Sequence, residues 1–343
     1  MTYTRLEKLR ARRIDPLVKV AGLNEAYERI AKEESSVQYA IGAMQPIDPG
    51  YNKITLEERQ RIEDQLAKGF AAAGLGVEFD YQGSVTNDTH IRAYSDIDLL
   101  TVGKVWFGVQ PPNTPTFPYK GDAVADLRAL RSNATSTLKS AYPAATVDVS
   151  GAKAINITGG SLRRKIDVIA CAWWHTVEYV ANQQKSFLGI EILDNNKGER
   201  IPNKPFLHNK KIEDRDVAMN GGLRKLIRLL KSLKYDSDSE IKLSSYDITG
   251  IVFNMPDQQL LFRSCQDLLL VNNCNAYLNQ LIQDRNLRDS IFVPNGTRKV
   301  FCPDGASVQG LEQMSAAMNT LVREIELGMT KSFRKLAEAR VAY

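Results

Sequence analysis

Residues 83 to 98 read Gly-Ser-Val-Thr-Asn-Asp-Thr-His-Ile-Arg-Ala-Tyr-Ser-Asp-Ile-Asp, and what precedes and closes this run narrows the local architecture more than any other stretch. Ahead of it, Ile62, Leu66 and Phe70 recur at four-residue steps among Glu, Arg and Gln, which predicts a helix over residues 55 to about 73 with one buried stripe. Thr55 and Glu58 have capping-box spacing at its start. Gly74 and Gly76 end the helix, and residues 77 to 81 alternate as a strand that enters the Gly83-Ser84 turn. A second strand over residues 95 to 102 carries Asp96 and Asp98 two residues apart. Both carboxylates then leave one face, while Ile97 and Leu99 point into a core on the other.

The chain has 343 residues, 43% apolar and 25% charged, which is globular composition with length for about two domains. Its net charge of +5 accommodates an anionic ligand and is too small and dispersed to mark a nucleic-acid binder by itself. Cys171, Cys265, Cys274 and Cys302 lie far apart, with no CxxC pair and no neighbouring His. Buried free thiols are expected, not a zinc site or a disulfide framework. The charged segment from Met1 to Arg13 leads into no apolar run, and no stretch of 18 apolar residues occurs, so a cytoplasmic chain without a membrane span is expected.

Downstream, four prolines between 111 and 118 cannot continue a sheet and mark a surface excursion, after which Asp122 starts a helix to about Lys139. Residues 146–150, 154–158 and 164–171 read as strands from β-branched content and alternation. In the last, Asp167 sits between Ile166 and Val168, so its carboxylate faces away from the side that its neighbours bury. It is the natural third acid. His90 is expected as a solvent-exposed loop histidine. Beyond about residue 204 helices take over, at 214–235, 245–253, 258–284 and from 305 to near the end, with Leu223, Leu226, Ile227, Leu230 and Leu233 at helical spacing.

Three carboxylates beside a Gly-Ser turn suit attack of a hydroxyl on the α-phosphorus of a nucleoside triphosphate. That step needs charge neutralisation, in-line positioning and a more acidic nucleophile, which two magnesium ions about 4 Å apart supply. Asp96 and Asp98 are read as bridging both ions, and Asp167 as completing the ion that acidifies the hydroxyl. Gly83 lets the backbone approach the phosphates closely, and Ser84 adds a hydroxyl donor.

Gly83-Ser84, Thr89, Arg92 and Ser95-Asp96-x-Asp98 together resemble the cGAS/DncV-like nucleotidyltransferases (CD-NTases), bacterial relatives of oligoadenylate synthetase and cyclic GMP–AMP synthase. Leu226-Ile-Arg-Leu-Leu-Lys231 is similar to the family helix whose lysine reaches the donor triphosphate. Ser245-Tyr246 is similar to a Ser-Tyr step where serine touches phosphate and tyrosine stacks on a base. The stretch from Gly189 through Gly198 to His208 also resembles the bacterial enzymes, so the likeness spans about residues 55 to 255. Thr86 and Asp88 depart from it, standing where many members carry glycine, which stiffens the loop.

The resemblance implies an α/β plus α architecture. A polymerase-β-like nucleotidyltransferase lobe with a mixed sheet, residues 1–205 including N-terminal helices, would be followed by a helical oligoadenylate-synthetase-like lobe, residues 206–343, that closes the nucleotide cleft. It implies Asp96, Asp98 and Asp167 as catalytic, metal-holding acids for two Mg2+ or Mn2+ ions, and Gly83, Ser84, Lys231, Ser245 and Tyr246 as nucleotide-binding residues. The implied activity joins nucleoside triphosphates without a template into a cyclic di- or trinucleotide messenger that acts on a downstream effector in bacterial anti-phage signalling. An RNA 3′-end nucleotidyltransferase shares such a lobe but needs a broad basic track, and Lys204, Lys210, Lys211 and Arg215 form a modest cluster. A catalytically inactive nucleotide-binding sensor would not need all three acids. The zinc-bearing insertion of one animal branch has no counterpart here, so no zinc and no obligatory nucleic-acid activator are expected. A regulatory partner protein, base choice, linkage, ring size and oligomeric state stay open.

Overall fold

A computed structural model describes residues 4–14, 34–93 and 95–341, with side chains up to residue 330; Tyr94 of the 83–98 run lies outside them. The chain divides into two compact units, one of Asp48–Lys211 and one of Met1–Ile47 with Ile212–Tyr343.

The first unit is built on a mixed seven-stranded sheet: β1 (Val77–Gln82), β2 (Ile97–Val109), β3 (Thr146–Asp148), β4 (Ala154–Thr158), β5 (Ile166–His175), β6 (Leu188–Asp194) and β7 (Glu199–Asn203). The spatial order is β1-β2-β5-β4-β3; β2 and β5 run parallel, and the other pairs are antiparallel. β4 takes Ile166–Ile169 of β5 and β6 takes Cys171–His175, so β5 is flanked along its length. The helices Pro49–Ala72 and Ala123–Ala141 lie on one face, where Ile62, Leu66, Phe70, Leu127 and Leu130 pack with Ile97, Leu99, Ile166 and Val168.

The expected division into one apolar and one chemical face holds only at the sheet's end. Two residues past Asp98 the same face carries Leu100 and Val102, both fully buried in a cluster with Leu188, Ile190, Ile192 and Phe206. Strand β6, unrecognised in the sequence because its alternation is interrupted, supplies Leu188, Ile190 and Ile192 to that cluster.

The first helix begins at Pro49, earlier than expected. Asp48 caps it by accepting from the Gly50 N–H, and proline fills the first turn, where its missing N–H costs nothing. Thr55 and Glu58 therefore do not form a capping box. Thr55 is buried mid-helix with its hydroxyl donating to the Tyr51 carbonyl, and Glu58 accepts from the Arg163 N–H and pairs with Arg61. The Asp122 cap and the Pro-rich excursion are as expected, the latter carrying Phe117 at 89% exposure.

In the helical unit, Gly222–Asp236 is the central helix, buried along the stripe Leu223, Leu226, Ile227, Leu230 and Leu233. The N-terminal helices Arg5–Arg13 and Ser35–Met44 belong to this unit and not to the sheet unit: Leu9, Val37, Tyr39, Ala40 and Met44 enter its core, and Arg12 forms a buried ion pair with Asp236. The expected helix 214–235 is two, Pro205–Ala218 and Gly222–Asp236, because Asn220 and Gly221 both take positive φ. Likewise 258–284 is interrupted, giving Asp257–Leu260 and Asp267–Gln283 with Cys265 at φ 63° between them. All four cysteines are free; Cys171 and Cys274 are buried, Cys265 is exposed. Among the described residues no helix is long and apolar enough to cross a membrane.

Candidate active site

Register brings the first acids together. In the parallel β2–β5 pair, Ile97 lies opposite Ile166 and Asp98 opposite Asp167, at the N-terminal ends of both strands. Asp96 precedes β2 by one residue, half-exposed, and Lys165 precedes β5 by one residue, with the Lys165 carbonyl accepting from the Ile97 N–H. The Lys165 ammonium sits 3.3 Å from Asp96 Oδ2 and 3.4 Å from Asp167 Oδ1. Asn156, across the antiparallel β4–β5 pair, donates to Asp167 Oδ1 at 2.6 Å.

Three carboxylates facing one lysine leave unbalanced charge. Burial, reinforced by Asp167 and Asp96, pushes the Asp98 carboxyl up to about 7, with Lys165 opposing the rise. Burial also raises Asp167, with Lys165 and Asn156 working the other way and Asp96 adding to the rise. Burial pulls the Lys165 ammonium down, yet Asp167 and Asp96 outweigh it and hold Lys165 above its ordinary value. Among the described residues no group of three or more His, Cys, Asp or Glu side chains closes into a ready metal cage. What fits a hard divalent cation is the chemistry of the donors: carboxylate oxygens, mutually repelling and short of positive charge.

The turn that precedes the acids is shaped by Asp98. Gly83 has φ 99°, and a Cβ built on it would fall 2.2 Å from Asp98 Oδ2. The Thr86 hydroxyl donates to the Gly83 carbonyl at 2.7 Å, the Thr89 N–H donates to the Ser84 carbonyl at 2.9 Å, and Asp88 takes φ 51°. Of the two departures from glycine, Thr86 thus hydrogen-bonds within the turn and Asp88 adopts the left-handed backbone that glycine favours. His90 does not stand in solvent: it is 2% exposed with Nε2 2.8 Å from Asn52 Oδ1, a neighbour supplied by the early turns of the Pro49–Ala72 helix.

The remaining candidates lie in the helical unit. Lys231 is 8% exposed on Gly222–Asp236, and Ser245 and Tyr246 open the helix Ser245–Phe253, which packs against it. Ser244 caps that helix, accepting from the Asp247 N–H. The Tyr246 hydroxyl donates to Asn295 Oδ1 at 2.9 Å, and the Arg298 guanidinium covers its ring at 5.3 Å while pairing with Asp247 at 2.6 Å. Lys165, Asn156, Asn295 and Arg298 went unassigned from sequence. The strands of Asn156 and Lys165 were legible, and so was the nearness of Lys165 to Asp167; the pairing of Asn156 with Asp167 and of Lys165 with Asp96 was not.

Residues 210–325 match the model of the cGAS/DncV-like nucleotidyltransferase C-terminal helical domain. The chain is 39% identical over 310 residues to the cyclic dinucleotide synthase CdnE of Yersinia aleksiciae, covering 89% of this chain and 81% of the relative. It is 30% identical over 294 residues to a c-di-GMP synthase of Capnocytophaga granulosa, covering 79% and 82%. The solved structure of a STING-associated CdnE c-di-GMP synthase from Capnocytophaga granulosa matches with a TM-score of 0.74 at 26% identity, over 95% of this chain and 97% of that one. Likeness of this depth along most of both chains makes this protein a member of the cGAS/DncV-like nucleotidyltransferase family.

Proposed function

We propose that the chain joins nucleoside triphosphates without a template and closes them into a cyclic dinucleotide, or a trinucleotide, with release of pyrophosphate. The observation that carries this reading is the register match of Asp98 with Asp167 beside a glycine turn moulded to Asp98. The activity named for the Yersinia aleksiciae and Capnocytophaga granulosa relatives supports the same product class.

In this reading Asp96, Asp98 and Asp167 hold Mg2+ or Mn2+, two ions, which when bound neutralise triphosphate charge and acidify the attacking hydroxyl. Gly83 and Ser84 bind phosphate through a turn whose conformation Thr86 holds. Asn156 fixes the rotamer of Asp167, the acid nearest the acceptor hydroxyl. In the helical unit, Lys231 and Ser245 bind phosphate and Tyr246 stacks on a base, its ring oriented by Asn295 and Arg298. The product acts as a cytoplasmic signal on a separate effector in anti-phage defence, in keeping with the STING association named for the structural relative.

The test is incubation of the protein with ATP, GTP, CTP and UTP and Mg2+ or Mn2+, followed by phosphatase and mass spectrometry. A phosphatase-resistant cyclic oligonucleotide is expected. Linear, phosphatase-sensitive products, or extension of an added RNA end, would overturn the reading.

A further inference from the structure

The acid cluster already holds a cation of its own. Strand register sets Asp98 against Asp167, and two residues earlier, just ahead of both strands, Asp96 lies beside Lys165, so the ammonium stands between Asp96 and Asp167. The side chain is partly exposed, at 38%, and Lys165 is a single point charge on a flexible stem. An ion pair this accessible contributes little to folding. Its position matters more, because a cation placed among acids opposes the entry of another cation by direct repulsion and by occupying carboxylate oxygens.

We propose that Lys165 is the counter-ion of the metal-free acid cluster, displaced from Asp96 and Asp167 when a nucleoside triphosphate arrives with its metal, so that divalent metal binds weakly until nucleotide is present. The inference rests on the reading of Asp96, Asp98 and Asp167 as the metal-holding acids. A triphosphate draws Lys165 away because polyphosphate offers an ammonium a denser negative charge than two carboxylates already shared with it. The coupling is reciprocal: whatever factor nucleotide adds to metal affinity, metal adds to nucleotide affinity. Lys165 is thus a positioning residue that makes the two ligands bind together.

The experiment titrates Mn2+ into the full chain, following free Mn2+ by its paramagnetic resonance signal, with and without a non-hydrolysable nucleoside triphosphate analogue. Lys165→Met is expected to raise Mn2+ affinity on the order of tenfold without nucleotide, and to shrink the enhancement by the analogue by a similar factor. Lys165→Arg, which keeps the charge, is expected to bind Mn2+ as weakly as the parent. Lys165→Gln serves as the neutral variant if Lys165→Met does not fold. Asp98→Asn separates the two failures. If it abolishes Mn2+ binding while Lys165→Met or Lys165→Gln binds like the parent, the counter-ion inference falls and the metal reading stands. If Asp98→Asn binds Mn2+ as the parent does, the metal reading falls as well.

Discussion

The α-carbon of Gly83 and the carboxylate of Asp98 are in mutual contact: a Cβ at residue 83 would lie 2.2 Å from Asp98 Oδ2, and the backbone there has φ 99°. The turn and the acid, 15 residues apart in sequence, are one structural unit joined through the β1–β2 pair, where Gln82 lies opposite Asp98. Gly83→Ala therefore meets both a left-handed backbone and a carboxylate. We expect it to cost about 1–3 kcal/mol of stability and to lower turnover at least about 100-fold, read by thermal denaturation and initial rates.

Asp98→Asn separates stability from activity. The folded-state pKa of Asp98 is raised from 3.8 to about 7, so folding takes up a proton between those values. The stabilisation from that proton is complete below about pH 4 and is lost as pH rises through about 7. Asparagine carries no charge to lose. The metal-free variant should melt higher than the parent at pH 8, by roughly 2 kcal/mol, with the difference vanishing near pH 4 and turnover abolished throughout. A variant less stable at pH 8 would refute the charge argument.

Asn156 reaches the third acid through one hydrogen bond of 2.6 Å. Its replacement by alanine leaves the acid in place with a loosened rotamer. Steady-state kinetics should show kcat reduced about tenfold with a smaller change in KM. Asn156→Asp, which adds a fourth carboxylate at the cluster, should be more damaging than Asn156→Ala.

In the helical unit, Arg12 at 2% exposure binds both oxygens of fully buried Asp236, which also accepts from the Tyr39 hydroxyl at 2.9 Å. Arg12→Met strands a buried carboxylate and should cost about 3–5 kcal/mol in denaturant unfolding. The double variant Arg12→Met, Asp236→Leu should recover most of that loss, because the penalty comes from the unpaired charge and not from missing attraction.

Tyr246→Phe removes the hydroxyl and with it the bond to Asn295, while Tyr246→Ala also removes the ring under Arg298. The first should change the KM for triphosphates by less than about threefold, the second by tenfold or more, if the ring stacks on a base. Equal effects would argue against a stacking role.

The elements that could be read from sequence are those whose signals are local. Asp122 caps its helix at the expected residue, residues 154–158 form the expected strand, and period-two alternation sets the faces that Asp98 and Asp167 take, while the parallel β2–β5 register brings them to one sheet end. Where two local signals competed, proximity misled. Thr55 and Glu58 had capping-box spacing, yet the helix starts at Asp48-Pro49, and Glu58 is spent on Arg61 and the Arg163 N–H.

By itself, then, the sequence laid out a candidate chemistry, three carboxylates and a glycine turn, in neighbouring residues and short spacings, and it placed the change from strands to helices near residue 205, whereas the structure divides the chain after Ile47 and after Lys211. The tertiary structure alone decided which residues serve those acids. Strand register sets Lys165 against Asp96 and Asn156 against Asp167, His90 is buried against a helix that begins 41 residues earlier, and the N-terminal helices join a unit whose remaining residues begin at Ile212. Register and long-range packing are set by the summed burial of many side chains, and no single stretch of chain carries that sum.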